Sequence, residues 1–128
     1  MASATSISEA ESVVMEVLWG ARRPVACEEV IRALAHRTDW QEATVRTFLG
    51  RLLRKGAVRA AKHGRRYLYS AVLTRQRWLS VESQRLLRRL FGGRLAPLVA
   101  HFGAHHRLSR EDIAELRRVV AALEDHDG

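Results

Sequence analysis

Between Ala43 and Tyr67 the chain carries Arg46, Arg51, Arg54, Lys55, Arg59, Lys62, Arg65 and Arg66, with no Asp or Glu among them. The chemistry of such a run is anion recognition rather than bond-making. Arg grips guanine or phosphate through paired donors, Lys offers a point charge, and Thr touches a thymine methyl or a phosphate. Thr44, Thr47 and Arg51 stand at i, i+3 and i+7, which puts them on one face of a helix. Gln41, Ala43, Thr44, Arg46, Thr47 and Arg51 are therefore candidates for reading a DNA major groove. Lys55, Lys62, His63, Arg65 and Arg66 are candidates for clamping phosphates, contacts that give affinity and salt dependence without reading sequence. A solvated basic helix face and a solvated basic turn are the plainer alternatives.

Other reactive groups are sparse. Cys27 is the only cysteine, so no disulfide forms within the chain, as suits a reducing cytosol. A helix N-terminus can lower a thiol pKa, but without a resolving cysteine Cys27 reads as a small packing residue. His101 and His105 are four apart and share a helical face, a spacing that suits zinc. A closed site needs further ligands, so His101, His105 and His106 read as polar residues at a helix end. No metal or cofactor is expected. No paired carboxylates, phosphate loop or nucleophile with a positioned base can be read, so an enzyme is not expected.

These side chains need a scaffold. The chain has 128 residues, a net charge of +8 and 47% hydrophobic residues, which fits a folded domain with a helical appendage. The opening MASATSISEAES lacks a basic start and an apolar run. No apolar stretch approaches the roughly 20 residues of a membrane span. A cytoplasmic protein without direct membrane association is expected.

Ser8 and Glu11 have the spacing of a capping box, opening a helix with Ala10, Val13, Val14, Val17 and Leu18 at helical spacing. A second helix is expected over 27–36 with Val30, Ile31 and Leu34 inward. A third is expected from about Gln41 to Lys55, with Val45, Phe48, Leu49, Leu52 and Leu53 inward and Gly56 as its cap. Gly50 in its middle either admits a close DNA backbone or is simply small. The period then changes. Residues 57–61 and 66–72 read as two strands joined by the basic turn 62–65. Tyr67 and Tyr69 read as sheet-packing residues, and Trp19, Trp40 and Trp78 as packing at the core or a domain junction.

The fold class is thus mainly α with a small β-hairpin: a winged helix-turn-helix DNA-binding domain over 1–73, followed by a helical dimerisation domain over 74–128. In the second part Ile113, Leu116, Val120 and Leu123 follow the three-four-three step of a helix seam. Together with Trp78, Leu86 and Leu90 they form the expected interface of a homodimer on two-fold DNA. A nonspecific architectural nucleic-acid binder is the rival reading.

Five stretches carry a resemblance: ISEAESVVMEVLW at 7–19, EEVIRAL at 28–34, WQEATVRTFLGRLLRKGAV at 40–58, GRRYLYSA at 64–71 and LSREDIAELRRVV at 108–120. In this order they resemble the BlaI/MecI-type penicillinase repressors, with the CopY-type repressors as close relatives. The resemblance implies a homodimeric repressor on palindromic operators with TACA/TGTA half-sites. It implies release through a membrane sensor-protease and a cut between Asn and Phe. The matching positions here are His101 and Phe102, so the Asn is missing. The CopY branch carries a C-terminal cysteine cluster, and this chain has no cysteine after Cys27.

Overall fold

A computed structural model describes residues 6–127 of the protein. Helix α1 (Glu9–Ala21) opens with the expected capping box. The Glu11 amide donates to Ser8 Oγ at 3.0 Å, and the Ser8 amide donates to Glu11 Oε1 at 2.8 Å. These bonds satisfy two of the donors that a helix start leaves open. Val14, Met15 and Leu18 are its buried apolar residues. Arg22 follows in a left-handed conformation.

Strand β1 (Val25–Ala26) leads directly into α2 (Cys27–Ala35), and α3 (Glu42–Lys55) has Gln41 as its N-cap. The left-handed Gly56 ends α3, and its amide donates to the carbonyls of Leu52 and Leu53. Strands β2 (Val58–His63) and β3 (Arg66–Ala71) then form a hairpin. The register runs from Val58 opposite Ala71 to His63 opposite Arg66. The strands therefore reach further into the basic turn than the pattern indicates, and Gly64–Arg65 alone connect them. Gly64 has φ 69°, as the first central position of a II′ hairpin turn requires.

The sheet has three antiparallel strands in the order β1-β3-β2. Periodicity misses β1, because two residues carry no period. One apolar core binds the helices to this sheet. Val14 and Met15 meet Val30 and Leu34 of α2, Val45, Leu49 and Leu52 of α3, and Val25 and Val58 of the strands in one buried cluster. A fully buried Leu or Met adds about 1.5–3 kcal/mol relative to exposure. Leu53 departs from the expected inward stripe and is 42% exposed. The arc of α3 facing the core is narrower than its apolar sequence.

Helices α4 (Arg75–Phe91), α5 (Leu95–His105) and α6 (Arg110–Asp127) complete the chain. Two compact units divide it, the first ending at Glu82 and the second starting at Ser83. The boundary thus falls inside α4, nine residues later than the expected 73/74 break. Trp78 explains the shift. It packs on the first unit's core, with its ring 5.3 Å from that of Trp19. Trp78, expected at the dimer interface, is half-buried and packs on the first unit's core within the single chain. Its indole N–H is buried without a partner among the described residues, whereas Trp19 donates to the Leu73 carbonyl at 2.8 Å.

In the second unit no residue from 83 to 126 is buried. Leu86, Leu90, Ile113, Leu116, Val120 and Leu123 are all exposed on the single chain, as are Leu95, Phe102 and Val119. Between α5 and α6 lies an apolar groove of about 490 Å³, lined by Leu98, Val99, Phe102, Leu108, Leu116 and Val119. Asp112 and Glu115 also border it. No helix among the described residues is long and apolar enough to cross a membrane.

Candidate nucleic-acid interface

Helix α3 turns Val45, Leu49 and Leu52 into the core, which directs the opposite face outward. Gln41, Ala43, Arg46, Thr47 and Arg51 are exposed and Thr44 is half-buried. The Thr47 hydroxyl donates to the Ala43 carbonyl at 2.9 Å, so its lone pairs rather than its proton remain for another partner. The Arg51 guanidinium lies 5.7 Å above the Phe48 ring. That ring is held 5.0 Å from Trp40. A Cβ built at Gly50 would meet only the Arg54 guanidinium, at 3.6 Å. Nothing within the fold therefore requires a small residue there.

The hairpin brings a second set of cations to the same place. Arg46 of α3 and Arg65 and Arg66 of the hairpin line one pocket of about 200 Å³, closed by Cys27, Glu28, Tyr67 and Tyr69. Lys62 and His63 are exposed on the last turnward residues of β2. Tyr69 packs against the core, as expected of a sheet residue. Tyr67 does not, being 55% exposed beside the arginines. Burial raises the Cys27 thiol pKa, and Glu28 and Glu42 push the same way against the opposing pull of Arg46. The helix N-terminus therefore does not make Cys27 a low-pKa thiol.

Lys55 does not join this set. Its ammonium donates to Glu11 Oε1 at 2.5 Å and to the Ser6 carbonyl at 3.1 Å. Lys55, expected as a phosphate contact, is paired here with a carboxylate that is 2% exposed. Burial pushes the Glu11 carboxyl up, but the bonds from Lys55 and Ser8 outweigh it and hold the carboxyl below its usual range. Sequence reading assigns Glu11 to the cap and misses this partner, 44 residues away. In the first turn of α2, Glu29 accepts from Arg23 at 2.7 Å and from the Ala26 amide at 3.1 Å. Those bonds lower its pKa to about 2.

His101 and Phe102 both lie inside α5. The His101 ring is 4.6 Å from His105, 5.7 Å from His106 and 6.4 Å from Phe91. Among the described residues no group of three or more His, Cys, Asp or Glu could hold a metal ion.

A basic helix face beside a basic hairpin tip is the geometry of a winged helix-turn-helix. The penicillinase repressor family matches residues 7–122 of the chain. The chain belongs to that family. The penicillinase repressor of Bacillus licheniformis is 35% identical over 120 residues, spanning 94% of this chain and 91% of the relative. The penicillinase repressor of Staphylococcus aureus is 28% identical over 114 residues, spanning 89% and 90%. The methicillin resistance regulatory protein MecI of Staphylococcus aureus strain N315 is 26% identical over 114 residues, spanning 89% and 92%. Among solved structures, the solution structure of the DNA binding domain of the repressor BlaI is similar at 34% identity and a TM-score of 0.51. It covers 57% of this chain and 88% of that one. The family of this chain is thus one of DNA-binding transcriptional repressors with a winged helix.

Proposed function

We propose that this penicillinase repressor family member is a homodimer that occupies a palindromic operator with TACA/TGTA-type half-sites and blocks transcription sterically. The convergence of Arg46 with Arg65 and Arg66 around one pocket carries the reading. A helix face lies beside a cationic hairpin tip, so one can enter a major groove while the other holds the adjacent backbone. Gln41, Ala43, Thr44, Arg46, Thr47 and Arg51 face the bases. Lys62, His63, Arg65 and Arg66 face phosphates.

Dimerisation uses the exposed stripe of the second unit, Leu86 and Leu90 with Ile113, Leu116, Val120 and Leu123. Two copies then present two reading heads to successive major grooves. Release follows from loss of that stripe. A cut between His101 and Phe102 separates α6 from the rest of the chain, and α6 carries four of the six interface residues. Both residues are helical, so a sensor-protease has to unwind a turn of α5 first.

The test is binding of the purified full chain to a duplex with TACA/TGTA dyad half-sites and to a scrambled duplex of equal length. At about 150 mM salt nonspecific binding is weak, and a preference of about 10³ or more is expected. Equal binding to both duplexes overturns operator recognition in favour of a nonspecific architectural role.

A further inference from the structure

We propose that the groove between the end of α1 and the base of the β2–β3 hairpin binds a small organic anion with a flat apolar body, of the aromatic carboxylate class. The groove has a volume of about 370 Å³, within the range of small-molecule sites. Leu18, Trp19 and Pro24 give it an apolar side, and Arg22, Arg59 and Ser70 give it a polar one. No acidic residue lines it. The Trp19 ring is held in place, with its N–H committed to Leu73 and its face near Trp78. It therefore offers a fixed surface for a flat ligand rather than a donor.

Arg22 is the unusual residue. It caps α1 with φ 56° and ψ 24°, a conformation where glycine or asparagine is favoured because a Cβ is strained. Its neighbour Arg23 is tied to Glu29. The guanidinium groups of Arg22 and Arg59 have no hydrogen-bond or carboxylate partner among the described residues. Two uncompensated guanidinium groups thus border one groove. An anion in the groove offers them a charge-assisted acceptor.

The groove is separate from the proposed DNA face. Arg59 pairs with Ser70, one step from the hairpin's base at Val58 and Ala71. Gly64 in the turn lies five residues on, about 16 Å along an extended strand. The proposal does not rest on operator binding and can fail or hold independently of it.

The test is a titration of the full ¹⁵N-labelled chain with 2-naphthoate, and with uncharged 2-naphthamide as the control. Saturable shifts are expected at the amides of Trp19, Arg22, Arg59 and Ser70. The amide ligand binds about tenfold more weakly, the loss expected from one charge-assisted hydrogen bond. Arg22→Gly suits the positive φ, so it keeps the fold and thermal stability while weakening naphthoate binding by about the same factor. Arg59→Gln, on an exposed strand position, gives a similar loss. No saturable shift up to about 1 mM naphthoate, shifts centred on the α5–α6 groove, equal binding of the amide, or unaltered affinity in both variants would each overturn the proposal.

Discussion

Leu49 on α3 and Leu116 on α6 both sit in the apolar stripe of an amphipathic helix, yet Leu49 is 1% exposed and Leu116 is 37% exposed. The first unit has three whole helices, the start of α4 and a sheet to close over its stripes. The second has only helices, and its stripes outnumber the surfaces available within one copy. Similar local patterns thus serve two purposes. In the first unit they make a core, and in the second they leave apolar area for something else to cover.

The sharpest test of that contrast is Leu116→Glu. If a second copy covers the stripe, sedimentation shifts from dimer to monomer. Affinity for a two-half-site duplex then falls about 10²–10⁴-fold, the avidity of linked sites, while half-site affinity holds. A variant that stays dimeric breaks the comparison. Leu49→Ala probes the other side. It should cost about 2–5 kcal/mol in chemical denaturation of the first unit, with the oligomeric state unaltered. A cost below about 1 kcal/mol would mean that this core is not tightly packed.

Lys55→Met tests a polar link in the same unit. Removing the ammonium leaves the buried Glu11 carboxylate short of a donor, at about 1–3 kcal/mol. Because Glu11 is held below its usual pKa, its stabilisation is present above about pH 4.3, the unfolded value. It is lost as pH falls through the lower folded value. In the variant this acid-side loss should flatten, and the salt slope of DNA binding should stay as it was. A reduced slope would return Lys55 to the phosphate contacts. The smallest effect is expected from Arg65→Ala at the hairpin tip. The slope of log affinity against log salt should fall by about one, with binding weakened evenly across sequences. A change in sequence preference would instead make Arg65 a reader of bases.

The order of elements is legible in the sequence because helical and alternating periods are local. The cap at Ser8 and Glu11, the helix end at Gly56 and the turn at Gly64 all depend on neighbours within a few residues. The cation run from Arg46 to Arg66 is equally visible. What sequence reading misses depends on distance along the chain. Glu11 claims Lys55 from another helix, and Trp19 draws Trp78 into the first unit. Strand β1 exists only because β3 lies beside it. Leu53 matches the apolar pattern of α3 but stays 42% exposed. In each case a partner distant in sequence decides, and periodicity carries no record of that partner.

Trp19, Trp40 and Trp78 are the chain's three tryptophans, and all precede the unit boundary after Glu82. Their placement gives the molecule a selective optical handle. Indole emission reports melting of the first unit, which holds every indole. Far-ultraviolet circular dichroism follows the helices of both units. Recording the two signals on one sample therefore separates the two transitions without any label.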